Sequence, residues 1–215
     1  MFIKKILLKS KYKIIIFDLD GVILNSDNNM RMSWNEVVRK YNLKKKYSSY
    51  RKYVGLPFLG ILKKLNIKHK KLEIQKFYKK QTIKNFEKII LYNGIKNFLK
   101  KLVSSNIKYS IVTSKDLSRT KMLLKKFKLK PESIHCPIKG KKGKPHPYLL
   151  NQCLKKNKIS KNKACYVGDT FYDYLCAKRA GIDFIFHKKG FGKKIAKYIL
   201  CYDSIAKLNK IIFKV

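Results

Sequence analysis

Residues 13–21 read Lys-Ile-Ile-Ile-Phe-Asp-Leu-Asp-Gly. Four apolar residues, Ile14 to Phe17, run straight into Asp18 and Asp20, and Gly21 ends the run. An unbroken β-branched and aromatic run of this length suits a strand buried on both faces, in the middle of a parallel sheet. The carboxyl end of such a strand is where open α/β sheets place their ligands. Two carboxylates two residues apart raise one another's pKa unless a cation lies between them or one stays protonated. A bound divalent metal and an acid/base role for one partner are the two solutions. The plain alternative is a strand that ends in a polar turn, where Asp beside Gly is favoured.

Charge narrows the field. The chain has 215 residues, with 53 Lys+Arg against 12 Asp+Glu and a net charge of +41. Only five of the cations are Arg, and the Lys residues are spread along the whole chain. Arg is the better fork for phosphates and bases. The scatter therefore reads as compositional drift rather than a nucleic-acid device, and no specific nucleic acid is expected. Four of the twelve acids are Asp18, Asp20, Asp169 and Asp173, two tight pairs that the drift has left in place. Five Cys and four His show no zinc spacing. They suit buried thiols in a reducing cytoplasm, the expected location. No apolar run approaches a membrane span. The length suits one α/β domain with a small insertion, as a monomer or homodimer.

Along the chain, residues 4–12 are a basic lead-in. After residue 26 no buried strand is evident. Apolar residues recur instead at helical spacing: Trp34, Val37, Val38 and Tyr41, then Leu59, Leu62 and Leu65, then Leu72 to Tyr78, then Ile83, Phe86, Ile89 and Ile90. Some sixty residues are too many for one crossover helix, so 27–92 is expected to be an inserted helical module. From 93 the chain alternates. Helices are expected at 95–102, 120–127, 147–157, 172–180, 195–200 and 204–212. Strands are expected at 109–112, 134–138, 164–167 and 183–186. The alternation predicts an α/β fold with a Rossmann-like parallel sheet covered on both faces, made of 1–26 and 93–215.

The ends of the expected strands carry Asp18 and Asp20, then Thr113 and Ser114, then Lys144 in the loop Gly-Lys-Pro-His-Pro, then Asp169 with Asp173. Carboxylates, hydroxyls and an ammonium in one crevice suit phosphoryl transfer. A carboxylate can attack phosphorus, and a second can protonate the leaving oxygen and then activate water. Hydroxyls and a fixed ammonium can hold the phosphoryl oxygens, and hard oxygen ligands suit Mg²⁺. Singly, each piece is ordinary; the order and the strand-end setting are what is specific.

These segments resemble the haloacid dehalogenase superfamily. Phe-Asp-Leu-Asp-Gly-Val-Ile at 17–23 is similar to its first motif and Ile-Val-Thr-Ser at 111–114 to its second. Lys-Pro-His-Pro at 144–147 is similar to the third, and Val-Gly-Asp-Thr-Phe-Tyr-Asp at 167–173 to the fourth. The resemblance implies a Rossmann-like core with a helical cap at 27–92, closest to the phosphoglycolate phosphatase-like subgroup. It implies a Mg²⁺-dependent phosphatase of a small phosphorylated metabolite, such as a sugar phosphate or a phosphoglycolate-like acid. Asp18 would be nucleophile and metal ligand. Asp20 would be acid/base and lend its backbone carbonyl to the metal. Thr113, Ser114 and Lys144 would bind phosphate, Asp169 would bind metal, and Asp173 would support the site. Arg51 lies where the family keeps a substrate loop. The dehalogenases lack the second Asp of the first motif, so Asp20 argues for phosphate esters. Phosphosugar mutases, the alternative within the family, carry a His where this chain has Met30. An alternative from another class is a polyanion-binding protein with an idle site.

Overall fold

The computed structural model describes residues 10–193 and 199–213. Ile14–Phe17 forms strand β1, flanked by β4 (Lys108–Val112) and β6 (Ala164–Gly168), all parallel. The sheet continues through β5 (Ile134–His135) on one side, and β7 (Asp183–His187) and β8 (Cys201–Tyr202) on the other, in the order β5-β4-β1-β6-β7-β8. Every pairing in it is parallel. Alternation along β1 explains the unbroken apolar run: Ile15 and Phe17 join one buried cluster, Ile14 and Ile16 the other. Each cluster lies under helices. The first is covered by α5 (Ile95–Ser104), α6 (Leu117–Phe127) and α9 (Ile205–Phe213), the second by α7 (Tyr148–Asn157) and α8 (Phe171–Ala180). Gly181 ends α8 at φ 70°, a left-handed position that glycine takes without a Cβ penalty.

Residues 27–84 supply α1 (Asp27–Tyr41), α2 (Tyr47–Arg51), α3 (Phe58–Lys64) and α4 (Lys71–Lys84). They bury an apolar cluster of their own around Trp34, Tyr50, Leu62 and Ile74. Trp34 is fully buried, stacks on Tyr50 at 4.5 Å and donates its indole N–H to the Lys45 carbonyl. Phe191, from the loop after β7, also packs into this cluster.

Two short strands, β3 (Ile90–Leu91) and β8, differ from the sequence expectation. Ile89 and Ile90 do not extend the helical run. α4 stops at Lys84, Phe86–Lys88 is a single 3₁₀ turn, and Ile90–Leu91 is a strand, β3. It pairs antiparallel with β2 (Leu24–Asn25), so a two-stranded ribbon carries the chain into and out of the helical module. A two-residue strand is too short to leave a periodic signature. β8 is equally short and also escapes the pattern. The helix expected at 195–200 falls mostly outside the described residues, as does most of the basic lead-in.

Candidate active site

The three central strands end side by side. Asp18 follows β1, Thr113 follows β4 and Asp169 follows β6, and the Asp18 amide donates to the Val167 carbonyl at 2.9 Å. The loop between β5 and α7 brings Lys144 under the same end. Its Nζ is 2.6 Å from Asp18 Oδ1 and 2.7 Å from Asp173 Oδ1, with all three groups buried. Asp173 takes little part in anything else, because each of its oxygens is held. Oδ1 also accepts from the Tyr166 hydroxyl at 2.9 Å. Oδ2 accepts from the Thr170 hydroxyl at 2.6 Å and the Thr170 amide at 3.0 Å. Thr170 in turn caps α8 by accepting from the Asp173 amide, a reciprocal capping box that fixes the first turn. Asp173 thus orients Lys144 from a rigid helix start.

Asp169 is fully buried. Its Oδ2 accepts from the Phe191 amide at 2.6 Å, while Oδ1 has no partner among the described residues. Glycines surround it: a Cβ at Gly21, where φ is +86°, or at Gly190 would run into the carboxylate. Asp20 behaves similarly. Oδ2 pairs with Lys115 Nζ at 3.0 Å and Oδ1 is buried without a partner. His187 Nδ1–H donates to the Gly21 carbonyl at 2.7 Å and pins the loop that carries Asp20.

The electrostatics suit a bound cation. Oxygens of Asp18, Asp169 and Asp173 lie within 4.8 Å of one another. Lys144 is the ammonium that touches this cluster, and it pairs with two of the three carboxylates, Asp18 and Asp173. Burial, helped by Asp173, pushes the Asp18 carboxyl up to about 7 against the pull of Lys144. Burial and the neighbouring Asp173 and Asp18 raise Asp169 well above the usual carboxylate range. For Lys144, burial works against the charge but Asp173 and Asp18 outweigh it and hold the ammonium protonated. An orphaned buried carboxylate oxygen, excess negative charge and an all-oxygen donor set fit a hard divalent cation.

Thr113 and Ser114 both line a cavity with Asp18 and Asp20. The Ser114 hydroxyl donates to the Gly55 carbonyl of the helical module at 2.6 Å, so it also ties module to sheet. Arg51 lies outside this cavity. Its guanidinium donates to Asp27 Oδ1 and to the carbonyls of Phe191 and Gly190, and lies over the Phe191 ring. That arrangement makes a strap between α2 and the loop that holds Asp169. Sequence reasoning passed over Lys115, Tyr166, Thr170, Arg119 and His187. For Lys115 the one available signal was its place directly after Ser114, hidden among so many lysines.

Comparison with known proteins gives the family. Residues 15–187 match the family model described as haloacid dehalogenase-like hydrolase. A protein of Caldanaerobacter subterraneus, provisionally named pyrophosphatase PpaX, is 29% identical over 176 residues, 80% of each chain. A haloacid dehalogenase-like hydrolase from Streptococcus pneumoniae superposes with TM-score 0.81 at 21% identity, covering 94% of this chain and 99% of that one. CbbY of Rhodobacter sphaeroides, solved with xylulose-1,5-bisphosphate, superposes with TM-score 0.79 at 16% identity, covering 92% and 96%. With a family model spanning most of its length, the chain belongs to the haloacid dehalogenase-like hydrolases.

Proposed function

We propose that this hydrolase is a Mg²⁺-dependent phosphatase of small phosphorylated metabolites that works through an aspartyl-phosphate on Asp18. The observation that carries the reading is the buried cluster in which Lys144 bridges Asp18 and Asp173 beside an Asp169 oxygen with no partner. The pyrophosphatase name of the Caldanaerobacter relative and the sugar bisphosphate in the CbbY structure support phosphorylated substrates of modest size.

In the first step an Asp18 oxygen attacks phosphorus, a P–O bond to the carboxylate forms and the bond to the leaving oxygen breaks. Asp20 gives its proton to that leaving oxygen. In the second step water attacks the same phosphorus, Asp20 takes the water proton, and Asp18 leaves as a carboxylate with orthophosphate released. Lys144 keeps Asp18 oriented and offsets charge that develops on the phosphoryl oxygens. Thr113 and Ser114 supply hydrogen-bonding groups for those oxygens. Asp18, Asp169 and the Asp20 carbonyl would hold Mg²⁺, which when bound supplies Lewis-acid charge that lets two anions approach. The helical module supplies one wall of the cavity through Tyr50, Val54, Phe58 and Tyr78. Met30 lines the cavity and offers no proton-transfer group, which favours hydrolysis over a mutase.

The test is phosphate release from a panel of small phosphate esters with Mg²⁺ present. The wild-type protein releases phosphate from at least one of them, and Asp18→Asn lowers the rate by several orders of magnitude. Wild-type rates in Asp18→Asn would overturn the reading.

A further inference from the structure

Asp169 has one oxygen to spare for a cation, and the loop after β7 selects which one. The Phe191 amide donates to Oδ2 at 2.6 Å, which leaves Oδ1, the buried oxygen without a partner, as the free ligand atom. The Gly192 amide donates to the Asp169 backbone carbonyl at 3.0 Å. Loop 190–192 therefore fixes both the main chain and the side chain of Asp169. A carboxylate ligand whose second oxygen is held in this way is aimed before the metal arrives.

That loop is held in turn from the helical module. Arg51, the last residue of α2, gives Nη1 to the Phe191 carbonyl at 2.8 Å and Nη2 to the Gly190 carbonyl at 3.2 Å. Only a planar guanidinium presents donors in a rigid fork that can take two neighbouring carbonyls at once. Its Nε donates to Asp27 Oδ1 at 2.9 Å, and the same oxygen accepts from the Tyr47 hydroxyl at 3.0 Å, so the other end of the fork is anchored in α1. The Phe191 ring, 7% exposed, packs among the apolar residues of the module, with the guanidinium 5.3 Å from its centroid. The module thus grips Phe191 by its carbonyl and its ring, while the Phe191 amide grips Asp169.

We propose that Arg51 is a positioning residue for Asp169: by holding loop 190–192 it sets, from the helical module, the Mg²⁺ affinity of a ligand that belongs to the sheet. This deepens the phosphatase reading and rests on it for Asp169 as a ligand of Mg²⁺. Charge alone predicts the opposite sign. Arg51 is a cation, and removing a cation near a cation site should make Mg²⁺ bind no less tightly. A loss of affinity on removing Arg51 therefore reports geometry. The effect is also reciprocal. If the Arg51 contact favours Mg²⁺, bound Mg²⁺ favours the contact by the same factor, so an occupied metal site fastens α2 to the sheet domain.

The experiment titrates Mg²⁺ into the full chain without substrate and follows the melting temperature, which yields the affinity because only the folded protein carries the site. Arg51→Met should weaken Mg²⁺ binding by about tenfold. Arg51→Lys keeps the charge and loses the fork, so it should weaken binding in the same direction, and it carries the test if Arg51→Met does not fold. Lys52→Met removes an exposed cation from the next position and should leave the affinity within about twofold of wild type. Hydrogen exchange gives the reciprocal reading, which a merely structural Arg51 would not move. Saturating Mg²⁺ should slow exchange of the α2 amides in the wild-type protein and not in Arg51→Met. Mg²⁺ affinity equal to or above wild type in both Arg51 variants would overturn the proposal, as would an equal loss in Lys52→Met or α2 exchange in the wild-type protein that ignores Mg²⁺. Failure of the phosphatase reading looks different: no phosphate is released from any ester while the dependence of Mg²⁺ binding on Arg51 stands.

Discussion

The Lys144 ammonium stands 2.6 Å from the Asp18 carboxylate, with both side chains all but excluded from water. Removing one partner of such a pair strands the other's charge in the interior. Lys144→Met should lower stability by about 3–5 kcal/mol in denaturant titrations and cut turnover by about 10²–10³-fold. Unchanged stability would mean that Asp18 and Asp173 do not depend on Lys144 for their charge.

A pH dependence follows from Asp18, whose carboxyl is raised from 3.8 to about 7 by burial. The metal-free folded protein holds a proton that the unfolded chain releases, so this contribution to stability drains away as pH rises between those two values. Asp169, raised in the same direction, adds to the loss. Mg²⁺ competes with protons for the same oxygens and must favour the ionised site. The rise in melting temperature on adding Mg²⁺ should therefore be small near pH 5 and large near pH 8, roughly the span that brackets the Asp18 value. An equal rise at both would contradict the placement of the cation at these carboxylates.

The glycine cradle around Asp169 gives a second handle on the metal. Gly190→Ala puts a methyl group against the Asp169 carboxylate. Mg²⁺ affinity, read from the metal dependence of the melting temperature, should weaken by about tenfold or more, as for other groups that orient a ligand. Full affinity would show that Asp169 is free to move.

Arg51 tests whether the strap matters. Its three donors reach Asp27, Phe191 and Gly190 rather than the cavity against Asp18. Arg51→Met should raise KM for small substrates several-fold with a smaller change in kcat, because the cap closes less often around the ligand. The reverse split would place Arg51 at the chemical step.

Much of this was legible in residues 13–21. A run buried on both faces had to be a central strand, and the alternation of β1 between two buried clusters is its structural counterpart. The helical spacing from Trp34 onward also announced the run of helices α1 to α4, although α4 stops at Lys84 and strand β3 follows before residue 92. What escaped has physical causes. β3 and β8 are two residues each and get their identity from partners far along the chain. Lys115 and Arg119 matter through burial beside Asp20, Asp116 and Thr82, which only the folded chain brings together. Arg51 was expected at the substrate from its place in the sequence, yet its side chain is engaged by the Asp169 loop.

The nucleophile is the centre of the account, and one measurement addresses it directly. Wild-type protein and Asp20→Asn are mixed with substrate and Mg²⁺, quenched in acid within a turnover, and digested for mass spectrometry. Asp20→Asn, which lacks the base for the second step, should accumulate phosphate on the peptide that contains Asp18, and Asp18→Asn should show none. Turnover by the wild-type protein with no phosphate ever appearing on Asp18 in either form would contradict the account.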